Sequence, residues 1–106
     1  MTLIFLDGVA RLRNNILNIK FRFHALSRMF ERKISETDVL EVLATGKIIE
    51  NYPTDQPYPS CLRLGFVNNR PLHVVTAEAT DEAVTVIITV YEPDLARWEL
   101  GFEKRK

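Results

Sequence analysis

Histidine and arginine recur at a regular interval in the first third of the chain. His24, Arg28 and Arg32 are each four residues apart, so on a helix they share one face. A guanidinium group holds a phosphate through two parallel hydrogen bonds, and an imidazole exchanges a proton near neutral pH. The spacing therefore suits a surface that binds or cleaves a phosphodiester. The alternative is structural: both arginines pair with nearby carboxylates, and His24 is an ordinary polar residue.

A second histidine lies in an extended, apolar part of the sequence. His73 is flanked by Leu72 and Val74, where a histidine is commonly a buried neutral imidazole with one hydrogen-bond partner. The functional alternative puts His73 at the rim of a cleft, close enough to His24 to form an acid and base pair. For RNA cleavage, one histidine would then deprotonate the ribose 2′-hydroxyl or protonate the leaving oxygen, while Arg28 and Arg32 hold the phosphate.

Arg63 and Tyr91 are two further candidates for ligand binding. Both fall on segments that we predict to be strands. A tyrosine at a strand end presents a phenolic hydroxyl to a ligand or anchors the edge of a sheet. We include Arg63 and Tyr91 as binding residues of the candidate site.

Metal and cofactor motifs do not occur in the sequence. Two histidines and one cysteine, without HExxH or paired Cys/His spacing, predict no metal site, and we expect no cofactor. The single Cys61 cannot form an internal disulfide, which favours a reducing, cytoplasmic location. The apolar run over residues 2–6 is too short for a signal peptide or a membrane span, so we expect no membrane association.

The charge of the chain is zero overall but unevenly distributed. Residues 1–33 contain seven basic and two acidic side chains, a net charge of +5, and residues 34–106 contain seven basic and twelve acidic ones, a net charge of −5. The neutral total argues against coating nucleic acid by bulk charge. The basic segment either contributes to a mixed solvated surface or contacts a phosphate backbone or an acidic partner protein.

Three helices are expected in the first half of the chain. Val9, Leu12, Ile16 and Ile19 recur at helical spacing and predict a first helix that starts near Asp7. Residues 24–33 predict a second helix. A third begins after Ser35, which forms a capping-box pattern with Asp38, and ends at Gly46.

Four strands are expected in the second half. The segments 48–49, 60–67, 70–77 and 84–91 are rich in β-branched and aromatic residues. Asn68 and Asn69 form a two-residue hairpin signal, so Leu64 should oppose His73. Helices that precede an antiparallel sheet predict an α+β domain in which N-terminal helices pack on four mostly antiparallel strands. The predicted core consists of Leu26, Met29, Phe30, Val39, Val42, Leu43, Leu62, Leu64, Ile87 or Ile88, and Trp98.

Several separated motifs carry a family resemblance over roughly residues 22–102. These are His24–Met29, Glu31–Ser35, Gly46–Glu50, Tyr52–Pro53, Pro71–Val75, Ile88–Pro93 and Trp98. Together and in this order they resemble the domain-of-unknown-function family 4258, which looks related to the RelE/ParE-type toxin superfamily. Residues 1–21 look like an N-terminal helical extension outside a single toxin-like domain at 22–106.

The resemblance implies a small bacterial protein with helices packed on a curved antiparallel sheet. Some members of that superfamily cleave mRNA on the ribosome without a metal ion. A toxin-like module of a toxin–antitoxin type system, with an antitoxin-like partner and possible action on RNA, is therefore the first functional expectation. The alternative is a non-catalytic module whose basic N-terminal face binds a protein.

Overall fold

Two helices lie against one face of a seven-stranded sheet in the part of the chain that the computed structural model describes, residues 3–6, 9–12 and 15–106. The helices are α1 (Phe23–Arg32) and α2 (Glu36–Thr45). The strands are β1 (Leu3–Leu6), β2 (Val9–Leu12), β3 (Asn15–Phe21), β4 (Lys47–Tyr52), β5 (Ser60–Val67), β6 (Arg70–Ala79) and β7 (Val84–Tyr91). The expected α+β class is confirmed.

The sheet is larger and more mixed than predicted. Its order is β1-β2-β3-β7-β6-β5-β4. The four expected strands, β4 to β7, are antiparallel neighbours. β3 then runs parallel to β7, with residue 19 opposite residue 85, which gives a five-stranded mixed sheet that β1 and β2 extend.

The helix predicted from Val9, Leu12, Ile16 and Ile19 is wrong, because these residues lie on β2 and β3. Their spacing of three and four fits a helix, but Val and Ile have branched side chains that favour strands. The pairing of β3 with β7, which is distant in the sequence, makes this segment a strand rather than a helix. A local residue pattern cannot show such a pairing. Asp7, where the helix was to begin, lies outside the described residues.

The hairpin between β5 and β6 is confirmed in detail. Asn68 and Asn69 have φ angles of 51° and 66°, as a type I′ turn requires. Leu64 faces His73, and Pro71 faces Phe66. The sequence alone was sufficient to fix this register.

The predicted capping box starts α2, and a side chain from β6 holds the end of α1. α1 ends at Lys33, which has left-handed backbone angles. Ser35 and Asp38 form a complete capping box at the start of α2. Arg70 is the first residue of β6. Its side chain donates hydrogen bonds of 2.8 and 2.9 Å to the carbonyl oxygens of Arg32 and Lys33. These bonds tie the β5–β6 hairpin to the end of α1.

Two glycines allow α2 to lie close to β5. A Cβ atom at Gly46 would lie 2.5 Å from the carbonyl oxygen of Leu64 and 2.6 Å from that of Val42. A Cβ atom at Gly65 would lie 2.9 Å from a methyl carbon of Val42. Gly46 has extended backbone angles, so the absence of a side chain, rather than an unusual φ, matters there.

Most of the predicted core residues are buried, but not all of them lie between the helices and the sheet. Met29, Val39, Val42 and Ile87 are buried in that core, with Leu26 and Leu43 partly buried against it. Leu62, Leu64 and Trp98 are also buried but lie outside this cluster. Phe30 was placed in the core wrongly, because its side chain is 86% exposed. The small Ala25 is buried one turn before Met29 instead, so the inner face of α1 is rotated relative to the prediction.

The other face of the sheet is partly covered by the end of the chain. Residues 98–105 form a tight turn, the C-terminal turn, in which Trp98 and Arg105 form an antiparallel bridge. Its interior hydrogen bonds join Glu99 N–H to the Lys104 carbonyl and Phe102 N–H to the Glu99 carbonyl. Trp98 packs edge-on against His73, with ring centroids 4.4 Å apart.

Candidate functional site

Arg32 and Tyr91 line one cleft at the end of α1 and β7. We call it the arginine cleft; it has a volume of about 590 Å³ and is lined by Arg32, Arg70, Tyr91, Glu92, Asp94 and Arg97. Arg32 is the last residue of α1 and Tyr91 the last residue of β7, and α1 packs directly on β7. Two of the residues singled out in the sequence therefore meet in space.

The positive charges of the arginine cleft are not equally available. Arg70 is engaged by Glu92, with 2.6 Å between Nε and the carboxylate oxygen. Asp94 accepts hydrogen bonds from the backbone N–H groups of Ala96 and Arg97. Arg32 donates to the carbonyl oxygen of Val90 at 2.7 Å.

Two guanidinium groups in the cleft retain the capacity to bind an anion. Within residues 18–106, whose side chains are described, no ion pair involves Arg32 or Arg97. A guanidinium offers five N–H donors, so the one bond that Arg32 makes to Val90 leaves donors for a ligand. The pair Arg32 and Arg97 is thus the part of the cleft that best suits a phosphate group.

The hydroxyl group of Tyr91 is hydrogen-bonded to a buried histidine. His73 is fully buried, with Nδ1 3.1 Å from Tyr91 Oη and Nε2 2.9 Å from the carbonyl oxygen of Phe102. A carbonyl oxygen only accepts, which assigns the proton of the neutral imidazole to Nε2. Nδ1 is then the acceptor, and the Tyr91 hydroxyl donates to it.

Burial acts on both members of this pair. It lowers the pKa of His73 below its ordinary value, while the hydrogen bond to Phe102 and the charge of Glu50 act in the opposite direction. It also raises the pKa of Tyr91, and the positive charge of Arg105 opposes that shift. Both shifts favour the neutral forms, so the pair consists of a phenol and an imidazole at neutral pH.

A second group of polar residues holds the C-terminal turn against His73. Arg105 lies over the Trp98 ring, 4.6 Å from its centroid, and forms a paired set of hydrogen bonds with Glu50. The bond from Arg105 lowers the pKa of Glu50. Burial, followed by the hydrogen bond to Glu50, raises the pKa of Tyr52 to about 12. These contacts hold the C-terminal turn against His73 and so fix the Phe102 carbonyl group.

The other predicted site residues lie elsewhere. His24 and Arg28 are exposed on α1, and Arg28 is 3.4 Å from Glu31. His24 is two turns, about 12 Å along the helix axis, from Arg32. The structure does not bring His24 or Arg28 to His73: His24 is exposed on α1, whereas His73 is buried and bonded to Tyr91 and Phe102. Arg28 instead pairs with the nearby carboxylate of Glu31, as the structural alternative expects.

Arg63 is separated from Tyr91 by the sheet. It faces Val74 in the register of β5 and β6 and donates to Thr76 Oγ1 at 3.2 Å, on the side where the helices pack. Tyr91 pairs with His73 on the opposite side. A ligand in the arginine cleft therefore does not contact Arg63.

Sequence reasoning did not select Arg70 or Arg97. Arg70 follows the Asn68–Asn69 turn, and Arg97 follows Asp94 by three residues. Asp94 accepts from the backbone of Arg97, which is the pattern of a side-chain-capped turn. That local signal predicts the turn, but it does not show that the turn places Arg97 beside α1.

Metal binding has no support in the described residues. No group of three or more His, Cys, Asp or Glu side chains among them is arranged to hold a metal ion. None of the described helices combines the length and the apolar character that crossing a membrane requires.

The family comparison agrees with the resemblance noted in the sequence. Residues 21–92 match the family described as a domain of unknown function, DUF4258. The chain belongs to this family. The DUF4258 match covers both helices and strands β4 to β7, and with them Arg32, Arg70, Tyr91 and Glu92 of the arginine cleft. Comparison with curated proteins and with solved structures finds no match to the chain.

Proposed function

We propose that this DUF4258 protein is a toxin-like module, similar to the RelE/ParE-type toxins, that binds RNA and cleaves it without a metal ion in the arginine cleft. The observation that carries the proposal is the Tyr91–His73 hydrogen bond beside two guanidinium groups, those of Arg32 and Arg97. This combines a proton acceptor with an anion-binding pair in one cleft.

The proton path runs through the tyrosine, because His73 itself has no exposed surface. The ribose 2′-hydroxyl gives its proton to Tyr91 Oη while Tyr91 passes its own proton to His73 Nδ1. The 2′-oxygen attacks phosphorus, and the bond from phosphorus to the 5′-oxygen breaks. The leaving oxygen takes a proton from solvent, and His73 later returns its proton to solvent by the same path. The products are a 2′,3′-cyclic phosphate and a 5′-hydroxyl.

The two arginines contribute binding and charge stabilisation. Guanidinium groups hold phosphate oxygens through paired N–H donors, and the interaction strengthens as negative charge develops on the phosphoryl oxygens. Tyr91 directs its only proton to His73, so toward a ligand its oxygen acts as an acceptor. That matches a 2′-hydroxyl donor, which RNA has and DNA lacks.

The test is a cleavage assay in EDTA on single-stranded RNA, free and ribosome-bound, with the cyclic phosphate end as the product measured. Tyr91→Phe removes one oxygen and should lower the rate by about 10²-fold or more, the usual contribution of a positioned acid or base. Thr76→Val is the matched control, because it also removes one hydrogen-bonded hydroxyl but lies on the face of the sheet where the helices pack. Its rate should stay close to wild type. The wild-type rate should fall as the pH drops below the ordinary histidine range, since protonated His73 accepts no proton.

Two results would count against this proposal. Cleavage that Tyr91→Phe leaves unchanged would show that the site is wrong. Wild-type protein that cuts neither free nor ribosome-bound RNA would show that the activity is wrong.

A second candidate function, a non-catalytic protein-binding module, is favoured by the outer face of α1. Phe23 and Phe30 are seven residues apart on one side of the helix and are 85% and 86% exposed. The exposed aromatic pair fits an apolar contact, and the exposed cations at the two ends of α1, Arg22 and Lys33, fit an acidic partner such as an antitoxin-like protein.

Co-expression with the product of the neighbouring open reading frame tests this second function. The double variant Phe23→Ser/Phe30→Ser should abolish co-purification, and Leu100→Ser, which changes a side chain of 89% exposure elsewhere, should not. Equal loss in both variants, or in neither, would exclude this face of α1 as the contact.

A further inference from the structure

A second cleft lies on the sheet face opposite the helices. We call it the proline-loop cleft; it has a volume of about 320 Å³. Its floor is made by Ala77 and Ala79 of β6 and by Val86 and Ile88 of β7. Because Ala77 and Ala79 are small and the other floor residues are branched, the floor forms a shallow, apolar space. A flat ring fits such a space better than a bulky or charged group.

One wall of the proline-loop cleft is the segment between β4 and β5, which contributes Pro57 and Tyr58. The Tyr58 hydroxyl donates to Asp81 at 2.6 Å, and Ser60 Oγ donates to Asp55 at 2.5 Å. These bonds hold the segment at its middle and at its end. The wall therefore exists before any ligand binds, which reduces the entropy cost of binding.

The opposite wall is basic. Lys20 and Arg22, from the end of β3 and the residue that precedes α1, line the cleft. No ion pair within residues 18–106 involves either side chain. Gln56 and Glu82 at the rim add groups that accept hydrogen bonds from amino groups of a ring. An apolar floor, a ring-stacking wall and a basic wall together suit a molecule that carries both a flat ring and an anionic group.

We propose that the proline-loop cleft binds one nucleotide of an RNA strand, with the base on the alanine floor against Pro57 and Tyr58 and a phosphate at Lys20 and Arg22. This rests on the proposed function and extends it, because the same strand leads to the arginine cleft. Val86 pairs with Ala77, and Tyr91 pairs with His73, so both strand positions belong to the face opposite the helices.

The spacing of the two clefts suits a single-stranded segment. Val86 and Tyr91 are five residues apart on β7, about 16 Å at about 3.3 Å per residue. An RNA strand that follows β7 would place one base in the proline-loop cleft and a phosphate, a few nucleotides away, beside Arg32 and Arg97. Aromatic stacking together with cations that contact the backbone is how proteins hold single-stranded nucleic acid.

In the experiment, the full chain is titrated with AMP, GMP, CMP and UMP. Binding is measured by the amide chemical shifts in NMR spectra and by calorimetry. At least one nucleotide should saturate and shift the amides of Ala77, Ala79 and Val86. The double variant Lys20→Ala/Arg22→Ala should weaken that binding about tenfold or more, because it removes both cations that contact the phosphate. The control Lys104→Ala/Lys106→Ala removes two exposed cations elsewhere and should bind like wild type.

Ribose 5-phosphate separates the base from the phosphate. If it binds as tightly as the nucleotides, the cleft binds only an anion and the proposed base position is wrong. Absence of saturable binding by all four nucleotides, or shifts that lie outside the cleft, would overturn the inference.

Failure of this inference is distinguishable from failure of the proposed function, because the titration involves no cleavage. Nucleotide binding at the alanine floor in a protein that cuts no RNA would support the cleft and overturn the proposed activity. RNA cleavage that depends on Tyr91, with a KM that Lys20→Ala/Arg22→Ala leaves unchanged, would support the activity and overturn the cleft.

Discussion

Replacing His73 by phenylalanine should destabilise the protein by an amount that decreases as the pH falls. The phenyl ring keeps an aromatic contact with Trp98 but loses the hydrogen bonds to Tyr91 and to the Phe102 carbonyl oxygen. Each such bond contributes about 0.5–1.5 kcal/mol, so His73→Phe should lower the free energy of unfolding by about 1–3 kcal/mol at neutral or slightly alkaline pH.

The pH dependence follows from the direction of the pKa shift. Burial lowers the pKa of His73 below the ordinary value of 6.5, so the unfolded chain binds a proton more readily than the folded one. The wild-type protein therefore has the full contribution of His73 above pH 6.5 and loses it as the pH falls toward the folded-state pKa. One proton gives a slope of at most about 1.4 kcal/mol per pH unit. The variant lacks this loss, so the difference between the two proteins narrows on acidification.

Urea denaturation followed by far-ultraviolet circular dichroism, at several pH values between about 7.5 and 5.5, measures this difference. Tryptophan fluorescence is unsuitable, because Trp98 contacts the mutated ring. His24→Gln is the control, since it removes the other histidine from an exposed position, and its stability curve should run parallel to that of wild type. A difference between wild type and His73→Phe that stays constant or grows on acidification would refute the assignment of a neutral His73.

Three further changes test other parts of the fold. Gly46→Ala should cost about 1–3 kcal/mol or prevent folding, because the new Cβ atom meets the Leu64 carbonyl oxygen; a thermal melt like that of wild type would contradict the close approach. Ser35→Ala should lower the free energy of unfolding by about 0.5–2 kcal/mol through loss of the cap, and Ser35→Asp should restore most of it in the same urea titration. Arg105→Ala should cost about 1 kcal/mol or less, since its ion pair with Glu50 is partly exposed; the loss should shrink in high salt, and a salt-independent loss would assign the contribution to packing on the tryptophan ring.

The parts of the fold that the sequence predicted correctly depend on neighbouring residues. The Asn68–Asn69 turn needs only two residues that tolerate positive φ, and the register of β5 and β6 follows from it. The capping box at Ser35 likewise involves residues three apart. Phe30 shows the limit of this reasoning, because an apolar residue near the inner face of a short helix was counted as core although a rotation of the helix exposes it.

The candidate site depends on contacts between distant parts of the chain. His24, Arg28 and Arg32 share a helix, and their spacing suggested a common surface, but only Arg32 reaches the cleft. Tyr91 reaches it from the last strand. The second hydrogen-bond partner of His73 is the carbonyl oxygen of Phe102. Because this is a backbone atom, the residue type gives no signal in the sequence. Such placements follow from tertiary packing and from no local pattern.

The parallel pairing of β3 with β7 has a consequence for how the chain folds. Residues 19 and 85 are opposite each other, so the two strands meet only after most of the chain has been synthesised. Contacts between such distant residues form slowly, because the long intervening loop must first be closed. Until then the edge of β3 that will face β7 has no strand partner, and such an edge is prone to pair with other chains. Refolding yield should therefore fall as protein concentration rises, and rapid completion of β7 should protect the nascent protein from aggregation.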